Sequence, residues 1–301
     1  MVFLKLCQGG VHMRKVFSMI SFIVVSGVLM FVGLPTIFTS CSFSTKLSPI
    51  DDGQPYVVAS VKHDGHLADM VENGEIPSDV ASLSIFSDIY VNLSPIKDLT
   101  SLKYLNLNGC QIDDITPLKG LTNLKELNIS TSDINNLSPL SDLVNLKRLS
   151  IGSQQGGNPS PAVIDLSPLS NLVNLEYLNL QYTPINDISA LSGLTNLKEL
   201  RLGSNGSKID ITPLKSLTRL EKLYLSDNQI DDITALKNLR NLTELKLINN
   251  QITDFSPLYG LKKLKILNIA SNPGITEKQK KELQRHLSGF GCNGGCEIQF
   301  D

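Results

Sequence analysis

The sequence predicts an α/β solenoid, in which stacked coils place a parallel β-sheet on the concave side and short helical turns on the convex side. Three observations support this prediction. From Leu93 onward a 22-residue unit recurs, apolar residues occupy the same positions in every unit, and each unit contains one apolar pair in an alternating strand pattern. Self-similarity at a fixed period is typical of repeat architectures, in which each unit contacts its neighbours.

Eight complete units follow one another along the chain. In the unit that begins at Ile115, apolar residues occupy positions 1, 4, 7, 10, 13, 15 and 20. A single unit buries too little apolar surface to offset the conformational entropy that it loses, so many units must stack and both ends need caps. The units begin at Leu93, Ile115, Leu137, Leu166, Ile188, Ile211, Ile233 and Phe255.

Each unit contributes one short strand. Two apolar residues of the strand face the core, and the residues between and beside them face outward. The same pair occurs once before the first complete unit. Nine strands of one parallel sheet are therefore predicted, at Leu83/Ile85, Leu105/Leu107, Leu127/Ile129, Leu149/Ile151, Leu178/Leu180, Leu200/Leu202, Leu223/Leu225, Leu245/Leu247 and Leu267/Ile269.

The start of each unit predicts a short helical turn. Position 2 is Ser or Thr in all eight units and position 3 is Pro in six of them. In this pattern the hydroxyl is expected to cap free backbone amides, and Pro fits the first helical position. Four carboxylates between units are also expected to cap the following turn: Asp113, Asp187, Asp231 and Asp254.

Position 18 predicts a buried column of side chains beside the sheet. A buried amide side chain at this position can bond the backbone of adjacent coils. Cys110 occupies the position in the first unit and is interpreted as a structural member of the column. The last four units have an amide there, at Asn205, Asn228, Asn250 and Asn272.

An apolar segment without charge, residues 16–38, follows a short basic stretch that starts at Met13. This order is typical of an export signal, so residues 1–41 are assigned to export. The segment is also long enough for one membrane span, so an uncleaved anchor is the competing interpretation. A start at Met13 gives a signal of ordinary length, and residues 1–12 are then an upstream extension.

The end of this segment favours a lipid anchor. Ordinary signal cleavage prefers small residues one and three positions before the cut, whereas a cut after Ser40 places Phe38 at the third position. Residues 38–41 resemble instead the lipobox of bacterial lipoproteins, with Phe38 in place of the usual Leu. The resemblance implies acylation of Cys41.

The remaining segments are assigned from their position beside the repeats. Residues 42–56 are predicted to form a polar tether, residues 57–92 an N-terminal cap that includes the first strand, and residues 93–276 the eight repeats. Residues 277–301 are predicted to form the C-terminal cap, with a helix that begins at Thr276, a Gly-rich turn and a final strand. Caps are expected because the terminal coils otherwise expose the core.

Two cysteines flank an Asn-Gly-Gly segment in the C-terminal cap. The short, flexible spacing between Cys292 and Cys296 allows a disulfide in an oxidising compartment, and the sequence leaves this pairing open. Two thiols alone do not make a structural zinc site, which needs four ligands.

The unit that begins at Leu137 contains an insertion. Turn-forming residues fill Ser153–Val163, where other units turn in four or five residues. Two interpretations stay open: a tolerated surface loop, or a loop that contacts a ligand beside the concave face.

The LxxLxxLxxLxxLxL pattern and the N-x-I-x-D-[IL]-[ST]-P rhythm of these units resemble the leucine-rich-repeat family, and the 22-residue form resembles its bacterial internalin-like class. The resemblance covers about two thirds of the chain. It implies a leucine-rich-repeat solenoid whose concave sheet binds a protein, as internalin-like proteins bind host or neighbouring proteins. The cell-wall sorting motif and the immunoglobulin-like module of that class are not visible in this sequence.

Charge and motifs argue against several other functions. The net charge is -2, from 27 basic and 29 acidic residues, so no basic field favours nucleic acid as a partner. Motifs of hydrolases, zinc proteases and phosphate-binding loops are missing, so neither an enzyme nor a cofactor is expected. His63 and His66, near Asp69 and Glu72, form the one candidate metal cluster and are interpreted as solvated cap residues, so no metal is predicted.

Positions 12, 14 and 16 of each unit face outward across the sheet and define the candidate binding face. Tyr and Arg, which recur there, are the residue types that most often anchor protein interfaces. Nine residues on or beside this face are predicted to bind the ligand: Phe86, Tyr104, Arg148, Tyr177, Tyr182, Arg201, Tyr224, Ile248 and Ile266.

The resulting hypothesis is an exported, membrane-anchored module at the cell membrane or cell surface that binds a protein ligand not identified by the sequence. The anchor is either a lipid on Cys41 or the uncleaved N-terminal segment. The alternative is a structural envelope or assembly scaffold without a soluble ligand. Carbohydrate binding is disfavoured, because sugar sites use stacked aromatic rings and the chain has no Trp.

Overall fold

The computed structural model describes residues 22–25, 28–31, 47–50, 54–130, 134–152, 163–205, 207–287 and 296–300. The chain divides into two compact units, Met1–Ser42 and Phe43–Asp301. Each unit is described by itself.

In the first unit the described residues form two antiparallel strands. Strand β1 (Phe22–Val25) pairs with strand β2 (Val28–Phe31). Both strands lie inside the apolar segment predicted to direct export, and Cys41 lies outside the described residues. No helix in the described part of the chain combines the length and the apolar character that crossing a membrane requires.

The second unit is built around one sheet, in which twelve strands are described. Strand β3 (Leu47–Ile50) pairs antiparallel with β4, and β4 to β14 follow as parallel neighbours in sequence order. The parallel strands are β4 (Gln54–Ser60), β5 (Ser82–Phe86), β6 (Tyr104–Asn106), β7 (Glu126–Asn128), β8 (Arg148–Ser150), β9 (Tyr177–Asn179), β10 (Glu199–Arg201), β11 (Lys222–Tyr224), β12 (Glu244–Lys246), β13 (Ile266–Asn268) and β14 (Glu297–Gln299).

The predicted α/β solenoid is confirmed, and its nine predicted strands are β5 to β13. The first residue of each of the nine predicted pairs is paired in register with its counterparts on the neighbouring strands, as Leu200 is with Leu178 and Leu223. Leu or Ile side chains at the repeated apolar positions are almost fully buried along one continuous core. The core therefore runs through the stack of coils, as the period predicts.

The sheet is wider than predicted at its N-terminal side. Strand β3 and the first residues of β4 lie within residues 42–56, the segment predicted to form a polar tether. In β4, Val57 lies opposite Leu83 and Ala59 lies opposite Ile85. Ala59 is fully buried, so this strand covers the apolar edge of the first coil.

Two helices flank the repeats. Helix α1 (His66–Glu72) buries Leu67 and Met70 in the N-terminal cap. Helix α2 (Glu277–Leu287) buries Leu283 and Leu287 and occupies the place of the helix predicted for the C-terminal cap. Strand β14 then pairs in parallel with β13.

Each of the eight units begins with a short 3-10 turn at its Ser or Thr, as between Thr116 and Leu118. The predicted capping by the hydroxyl is wrong, because the cap comes from two residues earlier. The amide of Thr116 donates to Asp114 Oδ1 at 2.8 Å, and the equivalent bond occurs in every unit. The accepting residues are Asn92, Asp114, Asn136, Asp165, Asp187, Asp210, Asp232 and Asp254.

Two of the four carboxylates predicted to cap therefore do so, and two do not. Asp187 and Asp254 accept the amide bond of the following turn. Asp113 and Asp231 each precede the residue that caps, and Asp231 instead pairs with Lys208 at 2.5 Å. An Asx turn needs the acceptor two residues before the donor, which explains why the neighbouring carboxylate is not used.

The column at position 18 links the coils as predicted. The Asn250 amide donates to the carbonyl oxygens of Leu225 and Leu247 at 2.9 and 3.0 Å, while its Oδ1 accepts from the backbone amides of Asn228 and Ile230. Asn228 and Asn272 make equivalent bonds to carbonyl oxygens on two successive coils.

Cys110 takes the same place at the start of the column. Its thiol is fully buried and donates to the carbonyl oxygen of Ile85 on the preceding coil at 3.3 Å. Burial raises the pKa of the Cys110 thiol from 9.0 to about 11. The thiol is therefore protonated at neutral pH, which agrees with a structural role.

Candidate functional site

The outward side of the parallel sheet is the candidate binding surface. Positions 13 and 15 of the coils are buried, so positions 12 and 14 face away from the core. Neighbouring strands lie about 4.8 Å apart, so equivalent side chains of successive coils form columns. We call the outward residues of β4 to β14 the concave face.

Cationic and aromatic side chains alternate across the concave face. The Arg148 guanidinium carbon lies 4.1 Å from the centre of the Tyr177 ring. The Arg201 guanidinium carbon lies 5.7 Å from that centre and 4.9 Å from the centre of the Tyr224 ring. Lys246 Nζ lies 5.2 Å from the Tyr224 ring centre. These distances permit cation–π attraction, so five residues on five successive strands form one group, which we call the central stripe.

Each cation of the central stripe also has a carboxylate partner on the concave face. The bond from Arg201 Nε to Glu199 Oε1 is 2.7 Å long, and both residues lie on β10. The stripe and its partners therefore present rings and guanidinium planes with no net charge. The three ion pairs are Glu126–Arg148 at 3.7 Å, Glu199–Arg201 at 2.7 Å and Glu244–Lys246 at 3.4 Å.

Burial shifts the ionisation of the stripe. It raises the pKa of the Tyr177 hydroxyl in spite of the nearby Arg201. Burial and Glu244 together raise the pKa of Tyr224. Both tyrosines therefore remain neutral phenols at physiological pH. The Tyr224 hydroxyl donates to Glu244, and both phenol oxygens can accept a hydrogen bond from a partner.

The structure brings together four of the nine predicted ligand-binding residues, and these are Arg148, Tyr177, Arg201 and Tyr224. The other five lie elsewhere. Phe86 ends β5 with 40% of its surface exposed, and Tyr104 begins β6, half-buried.

The last three of these five residues lie near the C-terminal strands or at the margin of the face. Ile266 begins β13 and Ile248 follows β12 by two residues, and both are half-buried. Tyr182 lies beyond the end of β9, with a left-handed φ of 58° and 37% exposure. It therefore flanks the concave face.

The sequence prediction did not select Lys246 of the stripe or the three glutamates that neutralise its cations. All four are outward residues of the predicted strands, but composition alone does not show which of them pair. The alternation Glu-x-Arg in β10 and Glu-x-Lys in β12 is a signal that could have found two pairs. Tyr56, on the unexpected strand β4, donates to Ser84 Oγ at 2.6 Å and was not predictable from the repeat.

Small polar residues beside the stripe are linked by hydrogen bonds. Ser130 Oγ lies 2.8 Å from Ser150 Oγ, which also accepts from Asn179 Nδ2 at 3.0 Å. Gly152 lies two residues after Ser150, and a Cβ on this glycine would lie 2.4 Å from the backbone nitrogen and oxygen of Gln181. The backbone here is close enough to require glycine.

The remaining candidates do not add to this site. The rings of His63 and His66 stack with centres 4.7 Å apart, and the residues that the structure describes contain no group of three potential metal ligands. Burial raises the pKa of the Cys296 thiol to about 11, while Cys292 lies outside the described residues, so the disulfide stays a prediction. Of the insertion Ser153–Val163, only Val163 is described, and it is exposed.

Comparison with known proteins agrees with this architecture. Models described as "Leucine Rich repeats (2 copies)" match residues 173–216, 195–238 and 240–279, and a "Leucine Rich repeat" model matches residues 98–115. The chain is thus a leucine-rich-repeat protein. No curated protein matches the sequence.

Solved structures that resemble this chain include leucine-rich-repeat proteins of the internalin kind. Internalin C2 of Listeria monocytogenes is similar, with 37% identity over 66% of this chain and 89% of that one, at a TM-score of 0.59. The internalin InlF of the same organism has 27% identity over 82% of this chain and 73% of its own, at 0.60. A leucine-rich-repeat protein of Leptospira interrogans has 26% identity over 75% and 62%, at 0.57. The chain belongs to the internalin-like leucine-rich-repeat proteins, and no enzyme family is indicated by these matches.

Proposed function

We propose that this protein is an exported, membrane-anchored module that binds a protein ligand through the concave face, with the central stripe as the main contact. The observation that carries the proposal is the contiguous group of Arg148, Tyr177, Arg201, Tyr224 and Lys246. Rigid aromatic and guanidinium groups lose little entropy on contact, and residues of these types dominate the affinity of protein interfaces. Neutral pairing lowers the cost of removing water from the charges.

The size of the concave face supports the same function. Eleven parallel strands at about 4.8 Å spacing span about 48 Å. Positions 12 to 16 of the coils, five residues at about 3.3 Å each, give a width of about 16 Å and an area of about 770 Å². A partner in a stable protein complex buries about 800 Å². The face is therefore large enough for one specific protein partner.

The nine predicted residues divide into two groups within this proposal. The four in the central stripe provide the anchor. Phe86 and Tyr104 at one end, with Ile248 and Ile266 at the other, provide outer contacts, and Tyr182 contacts a partner that extends beyond the strand ends.

Alanine replacement of the central stripe tests the proposal. The full chain with Tyr177→Ala, Arg201→Ala and Tyr224→Ala is compared with wild type for binding to a protein captured by wild type from the surface of the producing or a neighbouring cell. We expect an affinity loss of about 100-fold or more in calorimetric titration. The control Tyr90→Ala, Tyr259→Ala and Arg285→Ala removes the same side-chain types outside the concave face and should bind within about threefold of wild type.

Two results would count against this function. Unchanged affinity in the stripe variant rejects the concave face as the binding site. If wild type captures no partner, a scaffold without a soluble ligand is the better description.

Anchoring is a separate part of the proposal, supported by the apolar segment and the lipobox-like residues 38–41. We expect the mature chain in the membrane fraction to begin at an acylated Cys41, measured by intact-mass spectrometry. The Cys41→Ser variant should then retain residues 1–40. A wild-type mature chain that itself retains the apolar segment identifies an uncleaved anchor instead, and one that starts elsewhere rejects the lipid.

A further inference from the structure

One flank of the solenoid is positively charged, although the whole chain has a small negative net charge. Positions 8, 9 and 11 of each unit immediately precede the strand. Across eight units these positions hold nine Lys or Arg residues and two Glu residues, so they carry a net charge of +7 in a chain whose net charge is -2. The rest of the chain therefore carries -9. The repeat thus gathers positive charge along one flank.

The charge is least compensated in the first three units. Lys103, Lys125 and Lys147 occupy position 11 of successive coils, which are joined by backbone bonds of 2.7 Å from Lys125 to Lys103 and from Lys147 to Lys125. Within the described part of the chain, none of the three side chains has an acidic group within 4.0 Å. In the next coils, by contrast, Glu176 pairs with Lys198 at 2.6 Å.

These lysines line a shallow depression of about 390 Å³ together with Asn123, Asn145 and Asn174. Each asparagine amide donates to a carbonyl oxygen of the preceding coil at 2.9 Å, which fixes the side chain in place. The depression therefore combines exposed ammonium groups with a floor of oriented amides. We call these six residues the basic flank.

We propose that the basic flank binds a linear, flexible polymer that carries phosphate groups and no nucleobases. Lysine binds phosphate as a point charge, and three lysines about 4.8 Å apart provide a row of such charges. A flexible chain can enter the depression, whereas a flat bilayer contacts only its rim. Positions 8, 9 and 11 contain no aromatic residue on which a nucleobase could stack.

The proposal is independent of the function proposed for the concave face, because the two surfaces share no residue. Binding to the basic flank should be electrostatic and should weaken steeply with salt, since bound phosphates release counterions. The rest of the chain carries negative charge, so a polyanion is directed to this flank.

The test measures binding of fluorescently labelled inorganic polyphosphate to the full chain across a series of salt concentrations. The variant Lys103→Gln, Lys125→Gln and Lys147→Gln should bind about tenfold more weakly at low salt and show a salt slope smaller by about two. The control Lys97→Gln, Lys119→Gln and Lys237→Gln removes three exposed lysines at position 5 of other turns, with the same change in net charge. It should bind as wild type does. Thermal unfolding of both variants verifies that they are folded.

Four results would overturn the proposal. Equal weakening in both triple variants reduces the effect to net charge, and unchanged binding in the flank variant moves the site elsewhere. Tighter lysine-dependent binding to vesicles that contain phosphatidylglycerol than to polyphosphate identifies a membrane contact. Lysine-dependent self-association, measured by sedimentation of the full chain at low salt, identifies the acidic surface of a second copy as the occupant.

Discussion

The central stripe and the basic flank use the same residue types in opposite ways. In the stripe every cation contacts both an aromatic ring and a carboxylate, as Arg201 contacts Tyr224 and Glu199. On the flank, Lys125 lies between Lys103 and Lys147 with no described acid in contact. The two surfaces meet in the third unit, where Lys147 directly precedes Arg148.

This difference shows that one repeat can use some polar side chains to stabilise the coils and others to attract a charged partner. Side chains that bond each other rigidify the coils and leave little free charge, which suits close packing against a partner. Charged side chains without an ion-pair partner exert their electrostatic attraction over about a Debye length, which suits capture of an oppositely charged partner. We therefore expect substitutions of bonded side chains, in the central stripe and in the buried position 18 column, to lower stability. Substitutions on the basic flank should leave stability unchanged.

The largest effect is expected from Asn250→Leu. This change removes two bonds to buried carbonyl oxygens and two bonds from buried amides. The carbonyl oxygens keep bonds from Asn228 and Asn272. The two buried amides lose their acceptor, at about 2 kcal/mol each, so the free energy of unfolding should fall by about 4 kcal/mol in urea denaturation. Asn241→Leu makes the same change at half-buried position 9 of a coil. It removes one bond to Thr218 O and one from the exposed Lys263 ammonium, and it should cost about 1 kcal/mol or less. Equal losses for the two variants would show that the column has no special role.

Gly152→Ala should have the next largest effect. Its Cβ would lie 2.4 Å from the Gln181 backbone, which cannot move without disturbing β9, so a loss of about 3 kcal/mol is expected by thermal or urea unfolding. Gly203 occupies the equivalent position in a later coil. A Cβ there meets the flexible Gln181 side chain at 3.1 Å, so Gly203→Ala should be nearly neutral. A neutral Gly152→Ala variant would contradict the close approach of these coils.

Alkaline pH should weaken the position 18 column through Cys110. Because burial raises its pKa from 9.0 to about 11 in the folded state, that state holds the proton more tightly than the unfolded chain does. The contribution to stability is therefore complete below pH 9 and is lost as the pH rises to about 11, by about 2 kcal/mol. The Cys110→Ser variant cannot ionise in this range. Its stability relative to wild type should rise between these pH values, and a constant difference would reject the assignment.

The smallest effect concerns the cations themselves. Arg201→Ala removes contacts with two rings and Glu199, so a loss of about 1.5 kcal/mol in the free energy of unfolding is expected. Lys125→Ala should change it by less than about 0.5 kcal/mol. Both values come from urea denaturation at moderate salt. A loss for Lys125→Ala as large as that for Arg201→Ala would remove the distinction between the two surfaces.

Sequence periodicity was sufficient for the repeated part of this fold. A period of 22 residues determines which side chains face the core, so strands β5 to β13 and the columns on the concave face follow from counting. The same counting cannot assign hydrogen bonds between residues two apart, which is why Ser or Thr was taken for the cap instead of the preceding Asp or Asn. It also has no information where the repeat stops, so strands β3 and β4 were missed.

The candidate site was predictable in position but not in pairing. Arg148, Tyr177, Arg201 and Tyr224 were selected by residue type. Arg148 lies directly opposite Tyr177, and Arg201 lies directly opposite Tyr224, but residue type alone did not pair them. The contact that joins the two pairs, from Arg201 to Tyr177, is diagonal and depends on the reach of the long Arg side chain, which a list of outward positions does not contain. The basic flank lay outside the prediction because the net charge of -2 conceals a local excess of +7.

The uniform bonding of the position 18 column has a consequence for how such proteins change over generations. Asn228, Asn250 and Asn272 each donate to one carbonyl oxygen of their own coil and to one of the preceding coil. A gene segment that encodes one coil can then be duplicated or deleted, and the flanking coils still meet with matching surfaces. Recombination can therefore lengthen or shorten the solenoid by whole coils, while the side chains and contacts within each remaining coil are preserved.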